Sequence, residues 1–437
     1  MPDGSTKKED TRMPFSQRLR EIRTGFASSF WIANVTELFE RLAYYGTTAV
    51  LAIFLHENLK LSLADTGLLM GIFGLVVWAL PVLGGTLADR FTFRRALLFA
   101  YGVMTVGYFL LGSLSSPWMA PARHLIEMKW LVGVVLMVPA LGPGLVKPVV
   151  AGTTGRASKE NVRSIGYSIY YTLVNVGGAL GPIVASLVRT RIGIESVFRV
   201  SALSVFLMFW VTLFFFREPT EKGEEQVASV TAALRNMFVV LGNWRFVSFL
   251  LIYSGYWVMF WQEYVSVPLF VRGFVNPHAP VDRMLSVDAI TVMSLQIVVT
   301  FLTRKIPTFP AMTLGILVSS LAWIPLALHP AISTTILALA GVALGEIIQT
   351  PRYYEYMSRL APPGQQGLFM GYAFLPVAIG YFLAGVLGGH LVHLFGDVLK
   401  QPAKMWWVVT GVGIVTTLLM WLYNLIARPA QQTRATS

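Results

Sequence analysis

Glu37, Glu40 and Arg41 stand at positions i, i+3 and i+4 of an otherwise apolar stretch, and Tyr44 and Tyr45 continue the same stripe at i+7 and i+8. On a helix that spacing puts all five on one face. Two carboxylates beside one guanidinium leave a surplus acid that can take up and release a proton. Gly46 follows and permits close helix packing. Lys147 and Glu346 are lone charges in two other apolar runs. Ionisable groups in such runs are expensive and mark ion or solute pathways. The chemistry offered is therefore charge pairing and proton exchange. With no Cys and six scattered His, the chain offers no thiol nucleophile, disulfide or metal-ligand cluster. No nucleophile–base pair stands out either, so the reading is of no enzyme, no metal and no cofactor, with protons as the coupling ion. His329, His390 and His393 fall near span ends and read as interface residues. Glu263, two residues beyond Trp261 and about 200° around a continuous helix, reads as a solvated end charge.

The elements that hold these residues are membrane spans. Of the 437 residues 55% are apolar and 13% charged, against about 25% charged in soluble domains, which excludes an ordinary soluble protein. Twelve segments reach the roughly 20 apolar residues needed to cross a bilayer, near 26–55, 62–88, 95–115, 127–152, 164–189, 196–216, 244–271, 285–303, 309–329, 332–360, 366–394 and 404–427. The first is too long and too charged for a cleavable signal peptide. With the N-terminus inside, the cytoplasmic segments hold 22 Lys and Arg and the opposite side 10. By the positive-inside rule both termini are cytoplasmic, in a bacterial inner membrane. The net charge of +12 then reads as basic loops facing anionic lipid, with no nucleic-acid partner. The expected organisation is a cytoplasmic tail (1–24), a six-helix bundle (25–217), a charged linker (218–243), a second six-helix bundle (244–428) and a short tail (429–437), working as a monomer. The segment FSQRLREIR of the first tail is read as a surface helix, and the 12 Trp and 16 Tyr mostly as interfacial anchors.

Two six-span halves joined by a charged linker resemble the organisation of major facilitator transporters, an all-α membrane fold with its solute site between the bundles. GGTLADRFTFRR (84–95), with Gly84, Gly85, Asp89, Arg90 and Arg94, resembles the signature loop of that superfamily. The segment ELFERLAYYG (37–46) resembles the ExxERFxYYG motif of the proton-dependent oligopeptide transporters, with Leu42 in place of Phe. Three further stretches are similar to motifs of that family in the right order: LGPGLVKPVV (141–150), SIYYTLVNVGG (168–178) and the GE of ALGEIIQTPRYYEYMSRL (343–360). The resemblance implies a proton-coupled symporter of di- and tripeptides. Glu37 and Glu40 match the proton-sensing acids, with Arg41 and Lys147 as the cations for both coupling and the peptide carboxylate. Tyr44, Tyr45 and Asn175 match the pocket wall, Trp257 retains the aromatic of the seventh span, Gln296 joins the substrate site at a position where the family has Asn, and Glu346 matches the acceptor for the peptide ammonium.

Some positions depart from that pattern. An Arg of the first span and its Glu partner of the seventh are replaced by Thr48 and Trp261, so the outer gate must close by another contact. Gln296 stands for Asn, Val149 follows Lys147-Pro148, Ala373 replaces an aromatic, and there is no room for two extra helices between the halves. These changes leave a second substrate class open, an amino acid, a peptide-like metabolite or another small anion. They also leave open a different class of activity, drug/proton antiport.

Overall fold

The computed structural model describes residues 24–90, 92–219, 242–360 and 366–435, with side chains described for all of these except 83–90, 366–368 and 427–435. Residues 1–23, nearly all of the expected linker and residues 436–437 lie outside that set. Apart from one isolated bridge between Phe26 and Ser158, the described residues are helices and their connections.

The first half contains α1 (Ser28–Ile53), α2 (Leu63–Arg90), α3 (Phe93–Leu111), α4 (Met128–Ala140), α5 (Pro143–Arg156), α6 (Arg163–Ile192) and α7 (Ile194–Phe215). The second contains α8 (Trp244–Phe260), α9 (Gln262–Phe270), α10 (Ser286–Thr303), α11 (Thr308–Leu321), α12 (Ile332–Leu360), α13 (Gln366–Tyr372), α14 (Leu375–Leu391) and α15 (Met405–Ala435). By length and composition eleven helical stretches can cross a membrane. The remaining expected span, 244–271, is helical too, as α8 and α9 interrupted at Trp261. The fourth span is likewise two pieces, because Pro143 opens α5, where its missing N–H and fixed φ cost nothing. Starts follow local chemistry, with side-chain oxygens taking up free N–H groups. Ser62 accepts the Asp65 N–H at 3.0 Å ahead of α2. Asn243 accepts the Phe246 N–H at 3.3 Å ahead of α8. Gly193, at φ +101°, makes the tight turn between α6 and α7 that a side chain would strain.

The result is an all-α membrane protein of two six-span bundles. In the first, α1 packs on α6 and α7; in the second, α8 packs on α14 and α15, and α11 on α12. Glycine sets the closest approaches. A Cβ on Gly177 of α6 would lie 2.6 Å from the Arg41 Cβ, and Gly67 and Gly71 of α2 lie against Gly385 and Gly389 of α14. This α2–α14 seam joins the bundles, together with α1 against α9 and α6 against α10. Small residues let backbones meet where lipid supplies no hydrophobic drive.

Several expectations change here. Glu263 is 1% exposed rather than solvated. All nine residues of α9 are buried, so a side chain there is enclosed whichever way it points. Trp78, Trp257, Trp261, Trp323 and Trp406 are buried rather than interfacial, as are Tyr44, Tyr101, Tyr108, Tyr253, Tyr256, Tyr264, Tyr353, Tyr372 and Tyr381. His329, His390 and His393 are exposed, as expected.

Candidate functional site

The α1 stripe forms as its spacing predicts. Glu37, Glu40, Arg41 and Tyr44 are fully buried. Arg41 donates through Nη2 to Glu40 Oε1 at 2.6 Å and through Nε to Glu40 Oε2, a bidentate pair. Glu37 Oε1 lies 3.4 Å from the same Nε, yet neither Glu37 oxygen has a hydrogen-bond partner. One acid is thus satisfied and the other held only by charge. The Arg41 guanidinium also lies 5.1 Å from the Tyr44 ring centre, close enough for the ring face to attract it. The close approach of Gly177 fixes its stem.

Lys147 comes to the same region from α5, within the field of Glu37, Glu40 and Arg41. No carboxylate of the described residues is within ion-pair distance of it. Its ammonium instead sits 3.5 Å from the Trp78 ring centre and 5.6 Å from that of Phe374, where the ring faces attract a cation. Trp78 belongs to the first bundle and Phe374 to the second, with their rings 6.1 Å apart, so this cation sits at the junction of the halves. Trp261 extends the aromatic wall, 5.8 Å from Trp78 and stacked on Tyr381 at 4.1 Å. An aromatic contact between bundles therefore stands where the resemblance led us to look for a charged pair. The Thr48 hydroxyl donates within its own helix to the Tyr44 carbonyl at 2.8 Å.

Across the junction, Glu346 of α12 is half-buried and shares its surroundings with Tyr171, Tyr256 and Tyr354. Asn175 donates to the Tyr171 carbonyl at 2.9 Å, and Gln296 lies near the Tyr171 side chain. Tyr45 faces Tyr264 of α9 at 6.4 Å, bringing the stripe against the second bundle. Trp257 is 7% exposed, edge-on to Tyr256 and Phe260 and packed against Gly380. Tyr45, Lys147, Asn175, Gln296 and Glu346 thus keep partial exposure, whereas Trp257 is a packed wall behind them. Among the described residues no group of acids and histidines is arranged to hold a metal ion.

Two further buried acids were not read from the sequence as site residues. Glu263 and Asp288 are 1% and 8% exposed, and Glu263 feels both Asp288 and Glu346. Their signal was present as carboxylates within expected apolar spans. Of the signature-loop residues, α2 runs through Gly84, Gly85, Asp89 and Arg90, whose side chains lie outside the described set. Arg94 is described, and its guanidinium donates to the Leu213 carbonyl. Glu218 accepts the backbone N–H groups of Phe93 at 2.7 Å and Arg94 at 3.1 Å. That places an anion at the start of α3, where the helix dipole favours one.

At the end opposite the termini the bundles are pinned by ion pairs. Arg272, after α9, donates to both Glu57 oxygens at 2.7 and 2.8 Å. Arg189 of α6 donates to both Asp282 oxygens at 2.9 and 3.2 Å, and Arg283 to the Ser186 hydroxyl at 3.0 Å. These contacts close the far end without the pair at 48 and 261.

The sequence model of the Major Facilitator Superfamily matches residues 35–374. Among curated proteins the chain is similar to the multidrug resistance protein MdtH of Yersinia enterocolitica, 21% identical over 88% of this chain and 91% of that one. It is also similar to MdtH of Salmonella arizonae, again 21% identical, over 90% and 93%. Among solved structures it is similar to a peptide transporter in complex with alafosfalin, with a TM-score of 0.72 and 19% identity over 92% of this chain and 94% of that one. A transporter in complex with 5-aminolevulinic acid gives 0.70 and 17% over 90% and 95%.

Proposed function

The chain belongs to the Major Facilitator Superfamily and is a membrane transporter rather than an enzyme, and from that premise we propose that it is a proton-coupled symporter of small zwitterionic solutes, with di- and tripeptides as the substrate class. The observation that carries this reading is the unequal treatment of the two α1 acids. Glu40 holds Arg41 bidentately while Glu37 is buried beside it with no hydrogen bond. A coupling proton binds the surplus acid, and its arrival loosens the hold of this acid pair on Arg41 and weakens its field at Lys147. Those cations then become available to a solute carboxylate, which links proton and solute binding. Glu346 supplies the opposite charge from the second bundle for the solute ammonium. The motifs around Glu37–Gly46, Lys147, Asn175 and Glu346, and the likeness of fold to peptide transporters, support the same family within the superfamily. On this reading the termini and the basic loops are cytoplasmic, in a bacterial inner membrane, and the bundles at 25–217 and 244–428 rock as a monomer about the site.

The likeness to multidrug resistance proteins favours a second reading, proton-driven export of a drug-like solute. Uptake into proteoliposomes separates the two. An inward proton gradient should concentrate a dipeptide, and Glu37→Gln should abolish that accumulation while sparing exchange across equilibrated membranes, because Gln keeps the shape and removes only the titration. Accumulation driven only by an outward-directed gradient selects the export reading. Undiminished accumulation by Glu37→Gln moves the proton site elsewhere.

A further inference from the structure

The second bundle carries buried charge that the function above leaves unused. Glu263 of α9 is 1% exposed and neither of its oxygens has a hydrogen-bond partner; Asp288 of α10 is 8% exposed and its Oδ1 is likewise unpartnered. Glu263 lies in the field of Asp288 and Glu346, and Glu346 in that of Asp288, so the three carboxylates of α9, α10 and α12 are within electrostatic reach of one another. Burying an ionised carboxylate without a partner is strongly unfavourable. The described residues supply no resident cation to offset it. Arg272 is committed to Glu57, Arg189 to Asp282 and Arg283 to Ser186. Lys147 and Arg41 respond to Glu37 and Glu40 in the first bundle.

The surroundings narrow what the missing partner is. Tyr256 lies in the field of all three acids, Tyr264 in that of Glu263 and Asp288, and Tyr45 in that of Glu346 and Asp288. Carboxylates interleaved with aromatic rings suit an organic ammonium or guanidinium. Glu346 is half-buried, while Glu263 and Asp288 are almost fully enclosed.

We propose that Glu263 and Asp288, behind Glu346, form a subsite for a second cationic group, so that the favoured solutes are peptides with a lysine or arginine side chain. This deepens the symport reading and rests on it. The α-ammonium stays on Glu346 while the side-chain cation reaches the two deeper acids and supplies the partner they lack. A peptide with an acidic side chain would meet the same charges as repulsion.

Competition for counterflow in proteoliposomes tests this with Ala-Ala, Ala-Lys, Lys-Ala and Ala-Glu as probes. The expected result is that one or both lysine peptides compete about tenfold better than Ala-Ala, the scale of one charge-assisted hydrogen bond, and that Ala-Glu competes worst. Glu263→Gln and Asp288→Asn should each erase the lysine preference while leaving Ala-Ala unchanged, which also shows that the variants are folded. Wild type that takes Ala-Ala and Ala-Lys alike overturns the subsite and leaves peptide symport standing. Variants that keep the lysine preference but lose proton-driven accumulation of Ala-Ala also overturn it, making the pair a proton store. If wild type takes none of the peptides, the symport reading has failed. The subsite is then tested with tetraphenylphosphonium, whose binding should weaken in both variants if the subsite takes organic cations; unchanged binding overturns it.

Discussion

At the scale of single residues, the two cations of the first bundle are not equivalent. Arg41 is bound bidentately by Glu40, whereas Lys147 rests on the Trp78 ring. A cation over a ring face is worth about 0.5–2 kcal/mol, less than a bidentate ion pair. Lys147 is therefore the cation more readily released to a solute carboxylate. A charge-assisted hydrogen bond contributes about 1.5–3 kcal/mol. Lys147→Ala should accordingly weaken a dipeptide by about ten- to hundredfold while hardly changing its C-terminal amide, read by competition in proteoliposomes; equal losses for acid and amide would remove Lys147 from carboxylate binding. The stripe holding Glu37, Glu40 and Arg41 was legible in the sequence because helical periodicity acts within one element. Asp288 was not. It stands in the first turn of α10, where an end charge is unremarkable, and its burial comes from tertiary packing against other spans. Glu263 was misread for a related reason, since α9 is enclosed on every side by other spans and no position on it faces solvent.

Between elements, the end opposite the termini shows how the bundles are joined without a charged pair at 48 and 261. Thr48 and Trp261 cannot bridge the bundles by charge, but Glu57 with Arg272 and Arg189 with Asp282 do so further out. The sequence reading identified the lack and left the replacement open, because Glu57 and Arg272 are 215 residues apart and nothing local pairs them. The side chains of the Arg272–Glu57 pair are 17% and 35% exposed. Solvent at both partners calls for a modest value, about 1 kcal/mol, despite the bidentate geometry. Arg272→Gln should then shift the balance toward opening at this end by about fivefold. The chain contains no Cys, so Ser286→Cys, buried at 1% just inside this end, offers a single labelling site. Its alkylation should quicken by that factor in Arg272→Gln and no further when Glu57→Gln is added. Equal labelling rates with and without Arg272 would show that the pair does not hold the end closed.

Over the whole molecule, the halves differ in charge character more than in architecture. The first bundle brings two cations and two acids to the junction, and the second brings three acids. A solute that offers a carboxylate to Lys147 and an ammonium to Glu346 fits both halves at once and draws them together, whereas a solute lacking either end engages one half only. That difference appears as stability, since a ligand at about a hundredfold its Kd stabilises the state it binds by about 2.7 kcal/mol. The thermal midpoint of wild type should therefore rise with a free dipeptide and move much less with its N-acetylated or C-amidated forms. In Glu346→Gln the rise with free dipeptide should fall to the level of the acetylated form, because Gln still accepts a hydrogen bond but no longer answers the charge. The acetylated form itself should act alike on both proteins. A full response to free dipeptide in Glu346→Gln would place the ammonium elsewhere. Wild type left unmoved by every free dipeptide would instead point to a solute of the second class, with Glu346 then serving the charge balance of the empty junction.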